Sequence, residues 1–94
     1  MKFEWDALKN QINFQKHGVD FNEAKTVFDD VFAIIIEDCF HSNTEQREII
    51  VGQSLKNCLL YVVFVDKNDC IRIISARKLT SMERKRYEQR KFSQ

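Results

Sequence analysis

Leu59-Leu60-Tyr61-Val62-Val63-Phe64-Val65, then Lys67-Asn68-Asp69, then Ile71-Arg72-Ile73-Ile74-Ser75-Ala76 is the stretch that decides the fold. Seven consecutive apolar residues, rich in β-branched side chains, read as a central strand covered on both faces. Lys67-Asn68-Asp69 supplies turn chemistry, and a second β-rich run follows at once, so the two pair as a hairpin. Upstream, Val31–Asp38 and Arg47–Gln53 carry the same β-branched signature, the latter ending in Ile49, Ile50 and Val51. The polar segments His41–Gln46 and Ser54–Asn57 are the connecting turns or loops. Short connections between four successive strands favour an antiparallel meander.

Outside this block the period changes. Asp6 has the character of an N-cap, and Leu8, Ile12 and His17 fall roughly on one side of a helix running to His17. Gly18 then stands where a left-handed C-terminal cap is needed. Asp20 and Glu23 resemble a capping box, with Phe21, Ala24, Val27 and Phe28 at helical spacing, predicting a second short helix that ends near Asp29-Asp30. Phe3-Glu4-Trp5 alternates as a short strand. Thr80-Ser81-Met82-Glu83 is a capping box opening a final helix through about Phe92. The expectation is an α+β fold: a mainly antiparallel sheet of four to five strands, two N-terminal helices and one C-terminal helix.

The 94 residues, 44% of them hydrophobic, fit one domain spanning 1–94. No run approaches the roughly 18 apolar residues that span a bilayer, and Met1-Lys2-Phe3-Glu4-Trp5-Asp6 lacks a signal-peptide apolar stretch. The expectation is a cytoplasmic protein with no membrane partner. Cys39, Cys58 and Cys70 cannot all pair, and their spacing forms no C-x-x-C knuckle, so they read as ordinary thiols. The net charge of +1 conceals a polarity: residues 77–91 hold seven basic side chains against Glu83 and Glu88, a net +5, leaving −4 elsewhere. That end is suited to a polyanion or to an acidic protein.

Two blocks of residues carry a family likeness. Phe3-Glu4-Trp5-Asp6, Lys9, Asn13, Lys16-His17-Gly18-Val19, Phe21 and Glu23-Ala24 form one; Arg72-Ile73-Ile74-Ser75-Ala76-Arg77, Glu83-Arg84 and Tyr87 form the other. Together, in order and spacing, they resemble the signatures of the BrnT toxins, although Ala33 to Leu60 carries no matching motif. The resemblance implies a RelE-like fold and a ribonuclease that stops translation. It also implies neutralisation by a BrnA-like antitoxin encoded beside it, and operator DNA bound chiefly through the antitoxin.

Cleaving RNA without a metal requires a base for the ribose 2′-OH, a cation for the phosphorane and an acid for the leaving oxygen. No Asp/His cluster has metal-ligand spacing, the pairs Asp29-Asp30 and Glu37-Asp38 read as element ends, and no cofactor is expected. His17 is a candidate because imidazole titrates near neutrality, with Lys16 beside it for phosphate; equally, His17 is a helix terminus. His41 reads as a solvated loop side chain. Arg72 and Arg77 offer guanidinium forks for phosphate. In a regular strand their opposite parity points them to opposite faces, so they share a site only if the strand bends or ends between them. The alternative for Arg72 is an ion pair across the sheet, for instance with Glu48 or Glu37. Arg84, Tyr87, Arg90 and Lys91 share a face of the last helix, where Tyr87 either stacks on a base or packs on the sheet. Trp5 is a core anchor before it is a stacking platform. Two other functions stay open: a non-enzymatic nucleic-acid-binding module, and an interaction module whose edge strand and basic helix receive an acidic partner.

Overall fold

The computed structural model describes residues 1–38 and 46–93; Cys39 and His41 lie outside them. The elements run β1 (Phe3–Glu4), α1 (Ala7–His17), α2 (Phe21–Ala24), a 3₁₀ segment (Lys25–Asp29), β2 (Ile34–Glu37), β3 (Glu48–Gln53), β4 (Leu59–Asp66), β5 (Ile71–Lys78) and α3 (Ser81–Phe92). One five-stranded sheet has the order β1-β5-β4-β3-β2. The meander β2 to β5 is antiparallel throughout, while β1 lies parallel to β5 through Phe3↔Ile71 and Glu4↔Arg72.

The local signals act as expected at most helix ends. Asp6 caps α1 by accepting the Lys9 N–H at 3.0 Å, and Gly18 ends it at φ 71°, where an L side chain would be strained. The second helix is shorter than its spacing predicts. Only Phe21–Ala24 is α-helical, and the chain then tightens to 3₁₀ over Lys25–Asp29. Asp20 caps through the Asn22 N–H, but Glu23 does not close a box; its carboxylate accepts the Ser54 hydroxyl at 2.7 Å from the β3–β4 turn.

The sheet's two faces differ in their cover. One carries Ile50, Leu60, Val62, Phe64, Ile71, Ile73 and Ala76 against Val19, Phe21, Ala24 and Val27 of the helical layer. The edge-to-face rings Phe3–Phe28 and Phe28–Phe64, centroids 5.2 and 5.0 Å apart, tie β1 to the same core, and Trp5 packs edge-on to Phe21 at 6.0 Å. Burying one such side chain stabilises by about 1.5–3 kcal/mol. The other face, Ile49, Val51, Leu59, Tyr61 and Val63, meets α3 mainly through Tyr87 and the preceding Leu79.

α1 is unusual in what it buries. Leu8, Ile12 and Phe14 are all exposed, and the one fully buried residue of the helix is Asn13. Its amide donates to the carbonyls of Val19 and Ala76 at 3.0 and 2.9 Å and accepts the Ala76 N–H at 3.1 Å. β1 covers β5 only near Ile71–Arg72, so farther along Asn13 takes the place of the missing neighbour strand and satisfies the edge.

Candidate functional site

β4 and β5 fall out of step between Val63↔Ser75 and Phe64↔Ile73, leaving Ile74 without an opposite residue. This bulge shifts the side-chain alternation of β5 by one. Ile71, Ile73 and Ala76 therefore share the helix-covered core, and Arg77 stands beside Tyr61 on the α3 side. Arg72, opposite Val65, comes to that same side. The two arginines thus share a face despite their opposite parity, but five strand residues keep them roughly 15 Å apart.

Their surroundings differ. Arg72 donates to Glu4 Oε2 at 3.1 Å, and Lys67 approaches the same carboxylate at 3.6 Å. Arg72 thereby pulls the Glu4 carboxyl below its ordinary value. The acid facing Arg72 is on β1 rather than on β2 or β3, because the parallel register sets Glu4 directly against it. Arg77 is gripped more completely. Its Nη1 and Nη2 donate to the two oxygens of Glu83 at 2.8 and 3.0 Å, Nη1 also donates to the Lys78 carbonyl at 3.1 Å, and its Cζ lies 3.8 Å from the centre of the Tyr61 ring. This fork geometry is the strong form of a charge-assisted pair, with a cation–π contact beneath it.

Glu83 serves two structures at once. It is the third residue of α3 and completes the capping box, accepting the Thr80 N–H at 2.9 Å while Thr80 Oγ1 accepts the Glu83 N–H. The Arg77 pair, against some cost of burial, holds the Glu83 carboxyl down at about 2, and Glu83 in turn raises Arg77. The start of α3 and the orientation of Arg77 are therefore one unit. The spacing of Thr80 and Glu83 announced the cap, whereas nothing local announced the grip on Arg77 or the Tyr61 platform.

A second unit anchors the middle of α3. Tyr87 is 2% exposed and donates to Asp30 Oδ2 at 2.6 Å, an oxygen that also accepts the Gln53 N–H at 2.8 Å; Asp30 Oδ1 accepts the Phe32 N–H. Burial alone would raise the Asp30 carboxyl, but these three donors outweigh it and hold the group below its ordinary value. The same arrangement pushes the Tyr87 hydroxyl well above the usual phenol range, burial being the larger cause. The carboxylate lies so near β3 that a Cβ on Gly52 would meet Asp30 Oδ2 at 3.0 Å and the Val27 side chain at 3.0 Å. Tyr87 is thus inside the molecule, and Asp30 is the clamp for α3 rather than merely the end of a helix.

The remaining candidates lie at the end of α1 and along α3. Lys16 is exposed and His17 half-buried at the end of α1. His17 follows Asn13 by four residues, on the same helix face, and Asn13 is bonded to Ala76, the residue before Arg77. On α3, Arg84 and Arg90 are exposed and Lys91 is half-buried, with the Lys91 ammonium 5.7 Å from the centre of the Phe32 ring. Among the described residues, Glu4 pairs with Arg72 and Lys67 and Glu83 with Arg77, and no acid forms an ion pair with Arg84, Arg90 or Lys91. No helix of the described residues is long and apolar enough to cross a membrane, and none of their His, Cys, Asp and Glu side chains cluster to hold a metal ion.

No curated protein matches the sequence. Among solved structures, the crystal structure of the Brucella abortus ribonuclease toxin BrnT is similar to this chain with a TM-score of 0.65 at 25% identity, covering 86% of this chain and 99% of that one. The family described as "Ribonuclease toxin, BrnT, of type II toxin-antitoxin system" matches residues 5–83. With most of its length matched, the chain belongs to the BrnT family of ribonuclease toxins of type II toxin–antitoxin systems.

Proposed function

We propose that this protein is a metal-independent endoribonuclease that arrests translation, and that a BrnA-like antitoxin neutralises it, the pair together binding operator DNA chiefly through the antitoxin. The observation that carries the reading is the Arg77 guanidinium, fixed by Glu83 and the Tyr61 ring at the start of α3, a helix whose Arg84, Arg90 and Lys91 have no ion-pair partners among the described residues. A cation held in place before the reaction stabilises the phosphorane without reorganising. In this reading His17 and Lys16, at the C-terminal end of α1, manage a proton and hold a substrate phosphate. Arg84, Arg90 and Lys91 hold the phosphates that follow along the strand, and Tyr87 supports them from beneath. Arg72, bound to Glu4 at the other end of β5, takes no part in the chemical step of this reading.

Induced expression of wild type and Arg77→Ala, with growth and RNA integrity followed together, tests it. Wild type should stop growth and fragment RNA, and Arg77→Ala should do neither. Purified protein should cleave RNA equally with and without chelator. A toxic Arg77→Ala variant removes the assignment; binding without cleavage by the wild type makes the chain a nucleic-acid-binding module instead.

A further inference from the structure

We propose that the groove between β2 and α3 is the docking site of the antitoxin, which adds an extended, acidic segment to the open edge of β2; this rests on the toxin–antitoxin reading and assigns that partner its place. β2 is the last strand of the sheet, and among the described residues no strand pairs with its outer edge. It is also Ile34-Ile35-Ile36, with Ile35 55% and Ile36 48% exposed. An apolar edge strand is a liability unless something covers it. Ile34 and Ile36 stand opposite Val51 and Ile49, so they point to the α3 face; Ile35, opposite Ile50, points to the other. An added strand would continue this alternation and give both exposed isoleucines a neighbour.

The α3 side of that edge holds a groove of 270 Å³, floored by Ile34, Ile36, Val51 and Tyr61 and walled by Glu83, Tyr87 and Arg86. The volume accepts one apolar side chain, the usual anchor of a protein interface. A branched aliphatic floor offers a phosphate backbone nothing, and the Tyr61 ring is already occupied by Arg77, so a protein suits the groove better than RNA does. The rim sets the charge of that protein. Arg86 and Arg90, four residues apart on one flank of α3, are both exposed and outside the ion pairs of the described residues. A segment with carboxylates there is complementary. Because Tyr61 and Glu83, which together orient Arg77, form part of the groove, its occupant sits against the support of the candidate catalytic cation. Docking and silencing are then one event.

The test co-expresses the toxin with its cognate antitoxin and, separately, measures binding of the purified antitoxin to wild type, Ile36→Asp and Arg86→Glu. Ile36→Asp places a carboxylate at an exposed position and keeps the core; Arg86→Glu reverses a solvated charge, so one variant suffices if the other folds poorly. Each should bind antitoxin at least about 30-fold more weakly, and growth should stay arrested when antitoxin is present. Wild-type affinity in both variants overturns the proposal. Weakened RNA cleavage with intact antitoxin affinity also overturns it and assigns the groove to RNA. A free wild-type dimer that Ile36→Asp dissociates, with antitoxin affinity intact, assigns the edge to a second copy. Should the wild type cause no growth arrest, the ribonuclease reading fails while the binding measurement still decides the docking site.

Discussion

The two faces of the sheet are built by different means. The face under α2 and the 3₁₀ segment is closed by apolar burial: Phe21, Leu60 and Val62 are each 0% exposed. The face under α3 is held by two polar fastenings, Arg77–Glu83 at the start of the helix and Tyr87–Asp30 at its middle, with an open groove beside them. Burial is indifferent to direction and supplies stability, whereas charged hydrogen bonds fix direction and contribute less net free energy. Separating the two tasks lets the Arg77 guanidinium be fixed in direction by Glu83 and Tyr61 while the apolar face supplies most of the stability.

Replacing Phe21 with Ala should break the comparison most severely, costing about 3–5 kcal/mol in thermal or denaturant unfolding. If so large a cost came instead from the α3 face, the division of labour would be wrong. Arg77→Ala should weigh on activity more than on stability. Cleavage measured on purified protein should fall by about two to three orders of magnitude, while the melting temperature drops by less than in Phe21→Ala, through loss of the Glu83 pair.

Between these extremes lies Tyr87→Phe, which keeps the ring and leaves Asp30 with two backbone donors. Removing a hydrogen bond to a charged group should cost about 1.5–3 kcal/mol in stability. The acid limb of the stability curve sharpens the same point. Glu83 has a folded-state carboxyl held at about 2, below its ordinary 4.5, so its contribution is complete above the ordinary range and disappears as the pH falls toward 2. Asp30, also lowered, acts in the same direction. Glu83→Gln should therefore flatten the acid limb between those values, as read by chemical denaturation at several pH values. The smallest effect belongs to the solvated cations. Changing Arg84, Arg90 and Lys91 together to Ala should weaken RNA binding and reduce its salt slope by about 0.7 for each phosphate no longer neutralised, leaving stability nearly unchanged.

What the sequence made legible follows the same split. Asp6, Gly18, Thr80 and Glu83 announced helix ends because a cap is decided within four residues, and the β-rich runs announced the meander. The parallel pairing of β1 was invisible, and with it the partner of Arg72, because Glu4 lies 68 residues away. Asp30 read as the end of a helix since its real partners, Gln53 and Tyr87, are 23 and 57 residues distant. The apolar positions of α1 were legible as a pattern but not as exposed. Only the tertiary structure shows that an asparagine, not Leu8 or Ile12, faces the sheet.

The unmatched Ile74 makes the facing of Arg72 and Arg77 a matter of counting. Side chains along a strand behave as a two-letter frame, and the bulge is a frameshift written into the native chain. One consequence is that the strand should treat gains and losses of length unequally. Without Ile74 the ladder would simply run regular: Ser75 would still oppose Val63, and Arg77 would still oppose Tyr61 on the α3 side. An added residue has no such escape. With Ile71 anchored in the core, one more residue before Arg77 must either widen the bulge or turn the guanidinium toward Val19 and Phe21, where a cation has no place. A codon gained in this short stretch would therefore silence the toxin more surely than a codon removed at Ile74.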